Sequence, residues 1–164
     1  HIVTLISKMN KINGVEDISI TTNGLLFPEM AKELKSAGLR RINISLDTFN
    51  PDRFKTITRT GKIDKVLEAV ELALQLKLEP VKINVVVIRG FNDDELENFI
   101  RWSKDKSVYV RFIEFMPNYG NLDESWGPDK VVPLSEIRER CQSLTNMTPV
   151  DNVQGYGPAK YWKA

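Results

Sequence analysis

Several strand-like runs of this chain carry polar side chains where a buried strand would carry only hydrophobic ones. Successive strand side chains alternate between faces, so residues two apart point the same way. In Arg41-Ile42-Asn43-Ile44-Ser45-Leu46-Asp47 the alternation puts Asn43, Ser45 and Asp47 on one face. In the run Val81–Ile88 it puts Lys82 and Asn84 on one face, and the run Ile18–Gly24 ends in Thr21, Thr22 and Asn23. A lysine or aspartate is costly to bury without a partner, so such groups are expected to line a wet, ligand-holding interior.

Each of these groups has more than one reading. A hydroxyl and a carboxylate two residues apart, as at Ser45 and Asp47, suit a ribose or another polyol, although Asp47 alone could cap the next turn. Lys82, inside Val/Ile-rich sequence, suits an anion such as a phosphate. It could equally act as a Schiff-base nucleophile or pair with an acid on a neighbouring strand. Thr21–Gly24 could serve a ligand or merely close a strand, since Asn-Gly is a common turn dipeptide. Arg111 and Glu114 are three positions apart and face opposite ways, one toward the interior and one toward a flanking helix. Glu114 is the one expected to be structural. Gly155-Tyr156-Gly157 lacks the third glycine and the strand-to-helix setting of a dinucleotide loop, and His1 carries no information.

The elements that must position these residues are legible from periodicity and stop signals. Helices are expected near 2–12, from Pro28 to Gly38, over Pro51–Thr58, near 62–77 and from Leu134 to Cys141. Strands are expected near 16–22 and over Arg41–Asp47, Val81–Ile88 and Val108–Phe115. Asn92-Asp93-Asp94-Glu95 reads as a capped start for a helix holding Leu96, Phe99 and Ile100. A Gly/Pro/Asn/Asp-rich stretch over 117–130 is long enough for a lid or binding loop, and 145–162 reads as a hairpin or tail. Strands alternating with helices predict an α/β fold with a parallel sheet, either doubly wound or an arc of a (β/α) barrel. The polar strand positions favour the barrel, whose interior several strands share. A full barrel takes roughly 250 residues, so 1–164 is expected to be the central part of one barrel domain of a longer protein.

At 164 residues, 41% hydrophobic and 27% charged, the chain has the composition of a soluble globular domain. A net charge of +1 argues against nucleic acid as a partner. No apolar run approaches the roughly 20 residues that span a bilayer, and the first residues lack the features of a signal peptide. The single Cys141 rules out an internal disulfide and fits a reducing compartment, cytoplasmic or the mitochondrial matrix of a eukaryote.

The ordered set Ile20-Thr21-Thr22-Asn23-Gly24, Ala37–Asp47, Val81-Lys82-Ile83-Asn84, Arg111–Met116 and Gly157–Tyr161 resembles one family. It is the radical S-adenosylmethionine (SAM) GTP 3′,8-cyclase family of molybdenum-cofactor biosynthesis. The resemblance implies an incomplete (β/α) barrel and a lyase. In that family one 4Fe-4S cluster cleaves SAM to a radical that abstracts the 3′ hydrogen of GTP, and a second helps hold GTP. Carried over by position, Ser45 and Met116 are implied SAM contacts, Met116 through its backbone at the adenine. Thr21 and Lys82 are implied GTP contacts, with Lys82 at the triphosphate, and Arg111 resembles an interior arginine of the same site.

The family's three-cysteine motif and its Gly-Gly-Glu-Pro segment are expected before residue 1, and its second set of cysteines after residue 164. Cys141 matches neither set, so no metal ligand and no catalytic residue is assigned, and the chain alone is expected to lack radical activity. The resemblance allows a homodimer for the full-length enzyme. Two other readings stand beside it: a Schiff-base lyase or aldolase using Lys82, and a non-catalytic binding fragment. Unpaired edge strands and exposed interior residues also predict a chain prone to aggregate or only marginally stable.

Overall fold

The computed structural model describes residues 1–59, 61–117, 126–151, 153 and 159–164. The described residues form six α-helices and six strands: α1 Ile2–Met9, β1 Ser19–Thr22, α2 Phe27–Ala37, β2 Arg41–Ser45, α3 Pro51–Thr58, α4 Ile63–Gln75, β3 Val81–Val87, α5 Leu96–Lys106, β4 Tyr109–Glu114, α6 Leu134–Leu144, β5 Thr148–Val150 and β6 Tyr161–Lys163. The α/β alternation builds a parallel four-stranded sheet in chain order, β1-β2-β3-β4. The chain forms two compact units, His1–Ile83 and Asn84–Ala164, with the division inside β3. No described helix is long and apolar enough to cross a membrane.

In the first unit, β1 and β2 pair in parallel with Ser19 beside Arg41 and Thr21 beside Asn43. The hydrophobic half of β2, Ile42 and Ile44, is fully buried and faces α4, which contributes Val66, Ala69, Val70 and Ala73 to the core. Apolar residues on one strand face and one helix stripe are the pattern that layers a helix on a sheet. α2 starts with Pro28 in its first turn and ends at Gly38, whose φ of 114° is left-handed. A Cβ there would meet only the tip of the exposed Asn10 side chain, which can move aside, so it is the left-handed backbone that favours glycine.

In the second unit, α5 packs on β4 through Phe99 against Phe112, an edge-to-face pair with centroids 6.2 Å apart. α6 packs on both α5 and β4. Of the hairpin or tail expected over 145–162, the described residues show β5 and β6 paired antiparallel with Pro149 beside Trp162. Of the 117–130 stretch, Pro128–Lys130 forms a 3₁₀ turn, and Val131 makes an antiparallel bridge to Ile88. Residues 118–125 lie outside the described residues, as does Gly155-Tyr156-Gly157.

Several expected ends differ. β1 begins at Ser19 rather than near 16, β2 stops at Ser45 so that Asp47 lies beyond the strand, and α6 runs on to Leu144. α1 stops at Met9 rather than near residue 12, and α5 begins at Leu96 without a side-chain cap. Asn92 does not cap it. The Asn92 amide is drawn back to the end of β3, where Oδ1 accepts from the Ile88 N–H at 2.7 Å and Nδ2 donates to the Val86 carbonyl at 2.8 Å.

Candidate functional site

Parallel register decides what the polar residues of the first unit do. Because Thr21 and Asn43 are direct neighbours on β1 and β2, their side chains rise on the same face. Asn43 Nδ2 donates to Thr21 Oγ1 at 3.0 Å. Ser45 follows on that face two residues along β2, half-buried, while Ile44 beneath is sealed in the core. The Ser45 hydroxyl, the Thr21 hydroxyl proton and the Asn43 carbonyl have no protein partner among the described residues. The strand's own cation is not available here. Arg41 Nε donates to Asp17 Oδ2 at 2.7 Å, and the terminal guanidinium NH2 donates to the same oxygen.

The rest of the Thr21–Gly24 cluster serves the turn. Thr22 Oγ1 accepts from the Gly24 N–H at 3.1 Å, and Asn23 Oδ1 from the Leu25 N–H at 3.2 Å. Gly24 has a φ of 81°, a left-handed conformation that favours glycine. Thr21 is therefore the side chain of Thr21, Thr22 and Asn23 that makes no bond to the turn. The side-chain cap of α3 is Asn50. Asn50 accepts from the Asp52 and Arg53 N–H groups at 2.9 and 3.1 Å.

Lys82 is 3% exposed on β3, two residues before Asn84 and on the same strand face. Within the second unit, Arg111 Nε donates to Asn84 Oδ1 at 3.0 Å. That bond fixes the guanidinium by its inner nitrogen, and its two terminal nitrogens have no partner among the described residues. A planar guanidinium held this way is suited to an anion or carbonyl. Glu114 points the other way and accepts from the Leu134 N–H at 2.9 Å, capping α6 from a neighbouring strand. Met116, two residues past β4, is 83% exposed.

Outside these positions the second unit holds a charged network. Arg89 donates to both oxygens of Glu136, at 3.0 and 2.7 Å, and Arg140 donates to Asp93 at 3.1 Å. The Arg89 hydrogen bonds hold the Glu136 carboxyl below its ordinary value, and the same contact raises Arg89. Arg89 also donates to the Val131 carbonyl at 3.2 Å, tying the 126–133 segment to the end of β3. Sequence reasoning assigned no role to this network or to the Asn92 bracket.

The chain does not supply an iron–sulfur ligand set. Its one cysteine, Cys141, is buried on α6, and burial pushes its thiol up to about 11. A thiol held neutral in an apolar setting is a poor metal ligand, because the thiolate is the binding form. Among the described residues no three His, Cys, Asp or Glu side chains gather where a metal could sit.

Residues 1–103 match the radical SAM superfamily. GTP 3′,8-cyclases from Syntrophomonas wolfei and Petrotoga mobilis are each 48% identical over 162 residues, 99% of this chain and 49% of theirs. That from Alkaliphilus oremlandii is 46% identical over the same coverage. The chain thus spans about half the length of the curated relatives it matches. A domain of pyruvate-formate lyase-activating enzyme from Bacteroides vulgatus superposes with a TM-score of 0.61, at 16% identity, over 86% of this chain and 83% of that one. A radical SAM methyltransferase from Sphaerobacter thermophilus gives 0.60 at 20% identity over 77% and 36%. These two share the fold, the incomplete barrel expected from the strand pattern. Matched over more than half its length, the chain belongs to the radical SAM superfamily.

Proposed function

We propose that this chain is the central barrel segment of a GTP 3′,8-cyclase and that its residues hold the two small molecules of that reaction. The observation that carries the reading is 48% identity to such cyclases across 99% of the chain. The open hydroxyls on the β1–β2 face and the cations on β3 and β4 support it, since a nucleoside triphosphate presents both a polyol and an anion.

Ser45 takes SAM by its ribose, and Met116 meets the adenine through its backbone just past β4. Thr21 contacts GTP, Lys82 neutralises its triphosphate, and Arg111, steadied by Asn84, adds a second cation. Binding and orientation are the whole of this chain's contribution. The 4Fe-4S clusters of a radical SAM cyclase supply electron transfer and radical generation, and the one cysteine of this chain is too few to hold a cluster. No radical step is assigned to its residues. The product enters molybdopterin synthesis as that pathway's first intermediate. The Schiff-base alternative at Lys82 has no support in the relatives, all three of which are cyclases by name.

The test is equilibrium binding of GTP by the protein expressed from its complete gene, in wild type, Lys82→Arg and Lys82→Ala. Loss of at least about tenfold in affinity for Lys82→Ala, with Lys82→Arg between, is expected of a buried charge meeting a phosphate. Equal affinity in all three proteins would sink the reading. Borohydride trapping of a carbonyl substrate on Lys82 would replace it with the aldolase.

A further inference from the structure

Asn43 belongs to none of the positions carried over from relatives, yet it is the residue that decides what Thr21 can do. We propose that Asn43 is a specificity-determining residue that contacts the ligand. Together with Thr21 it forms a donor–acceptor pair that reads the 2′,3′-diol of the GTP ribose. The inference rests on the cyclase reading above.

A threonine hydroxyl has one proton and two lone pairs, and a carboxamide has two donors on nitrogen and an acceptor on oxygen. Asn43 Nδ2 donates to Thr21 Oγ1 at 3.0 Å, so one lone pair of the hydroxyl is filled from the protein side. The hydroxyl proton is left for an outside acceptor, since none is offered to it among the described residues. The Asn43 carbonyl likewise accepts from no described residue and looks for an outside donor. The face thus presents a donor beside an acceptor, held in place by parallel register between Thr21 and Asn43.

A phosphate offers acceptors only and would meet the Asn43 carbonyl with repulsion. The cation that could have made this face anionophilic, Arg41, is engaged by Asp17. What satisfies both groups is a neutral ligand element carrying an acceptor and a donor side by side. A vicinal diol does so, because each hydroxyl can both give and take. Sites built to hydrogen-bond a hydroxyl discriminate strongly against the analogue that lacks it, since the protein groups are then left unpaired.

The experiment measures calorimetric affinities of GTP and 2′-deoxyGTP for the protein expressed from its complete gene. Wild type, Asn43→Leu, Thr21→Val and Thr21→Ser are compared at equal melting temperature. Wild type is expected to prefer GTP by about tenfold, roughly one hydrogen bond's worth of affinity. Asn43→Leu and Thr21→Val should lose that preference through weaker GTP binding, and Thr21→Ser, which keeps the hydroxyl, should restore it. If the variants keep both GTP affinity and the wild-type preference, the Asn43 assignment is overturned while the cyclase reading stands. If folded wild type binds neither nucleotide, the cyclase reading falls and this inference falls with it.

Discussion

In residues 84–164 most of the polar side chains described above close on one another, the terminal nitrogens of Arg111 excepted, whereas in residues 1–83 one strand face keeps its hydrogen-bonding groups turned outward. Asn92, Glu114, Arg89, Glu136 and Arg140 each satisfy a backbone group or an opposite charge in their own unit. Thr21 and Asn43 satisfy only each other, and Ser45 nothing, among the described residues. Thr21, Asn43, Ser45, Arg89, Asn92 and Glu114 lie in or beside strands, and Glu136 and Arg140 lie on α6. The difference lies in the count of filled hydrogen-bonding positions. A group whose valences the fold completes is a fastener, and a group left with valences open, on a face positioned by register, is available to a ligand.

The largest test of that contrast is at Asn92. Its 2% exposed amide holds an N–H and a carbonyl at the end of β3, the first in a buried bond and the second in a part-buried one. Asn92→Ala should cost about 2–3 kcal/mol, the penalty for leaving buried polar groups unpaired. Chemical denaturation of the parent protein and the variant gives the value. A loss under about 0.5 kcal/mol, the range of neutral surface changes, would show that the fastener is dispensable and would blur the contrast.

How much of this was legible in the sequence depends on the range of the contact. The expected α3 at Pro51–Thr58 is the observed one, and Gly38 ends α2 as a helix-stop glycine should, because both signals are local. The alternation in β2 put Asn43 and Ser45 on one face, as found. The Thr21–Asn43 bond was not readable, since it depends on which of several registers β1 adopts beside β2. Asn92 misled for a related reason. Its sequence neighbours Asp93, Asp94 and Glu95 make a capping pattern, but the amide is captured by strand groups four and six residues earlier. Glu114 caps α6 from 20 residues before it, with nothing local to announce it. Polar positions could be found by period, but their partners could not.

A smaller effect is expected from the charged network. The Glu136 carboxyl lies below its ordinary value of 4.5, chiefly through the Arg89 hydrogen bonds and then through nearby Arg89 and Arg140 charge. An acid depressed in the folded state stabilises fully above its ordinary value and loses that contribution as pH falls through the folded one. The network is solvent-exposed, so the loss is small and shrinks in salt. Thermal melts at pH 6 and below pH 4 should show a drop that Glu136→Gln makes smaller, since glutamine has no proton to take up. An identical drop in both proteins would mean that the acid sensitivity arises elsewhere.

The smallest stability effect is expected where the largest binding effect is. Thr21→Val, Asn43→Leu and Ser45→Ala remove polar groups that complete no core contact and pair with no backbone group among the described residues. The hydrophobic side of the same strand, with Ile42 and Ile44 at 0% exposure, is untouched by any of them. Each substitution should therefore change unfolding free energy by no more than about 0.5 kcal/mol. The Asn43–Thr21 bond adds little on an open face, because water replaces it when either partner is lost. A fold that gains nothing from keeping hydroxyls and an amide on a strand face has a better use for leucine or valine there, through packing and β-propensity. Unchanged or raised melting temperatures, beside weakened nucleotide binding, are the signature of residues held for a ligand. A large destabilisation by Asn43→Leu would instead move Asn43 into the class of Asn92, and the two units would no longer differ in kind.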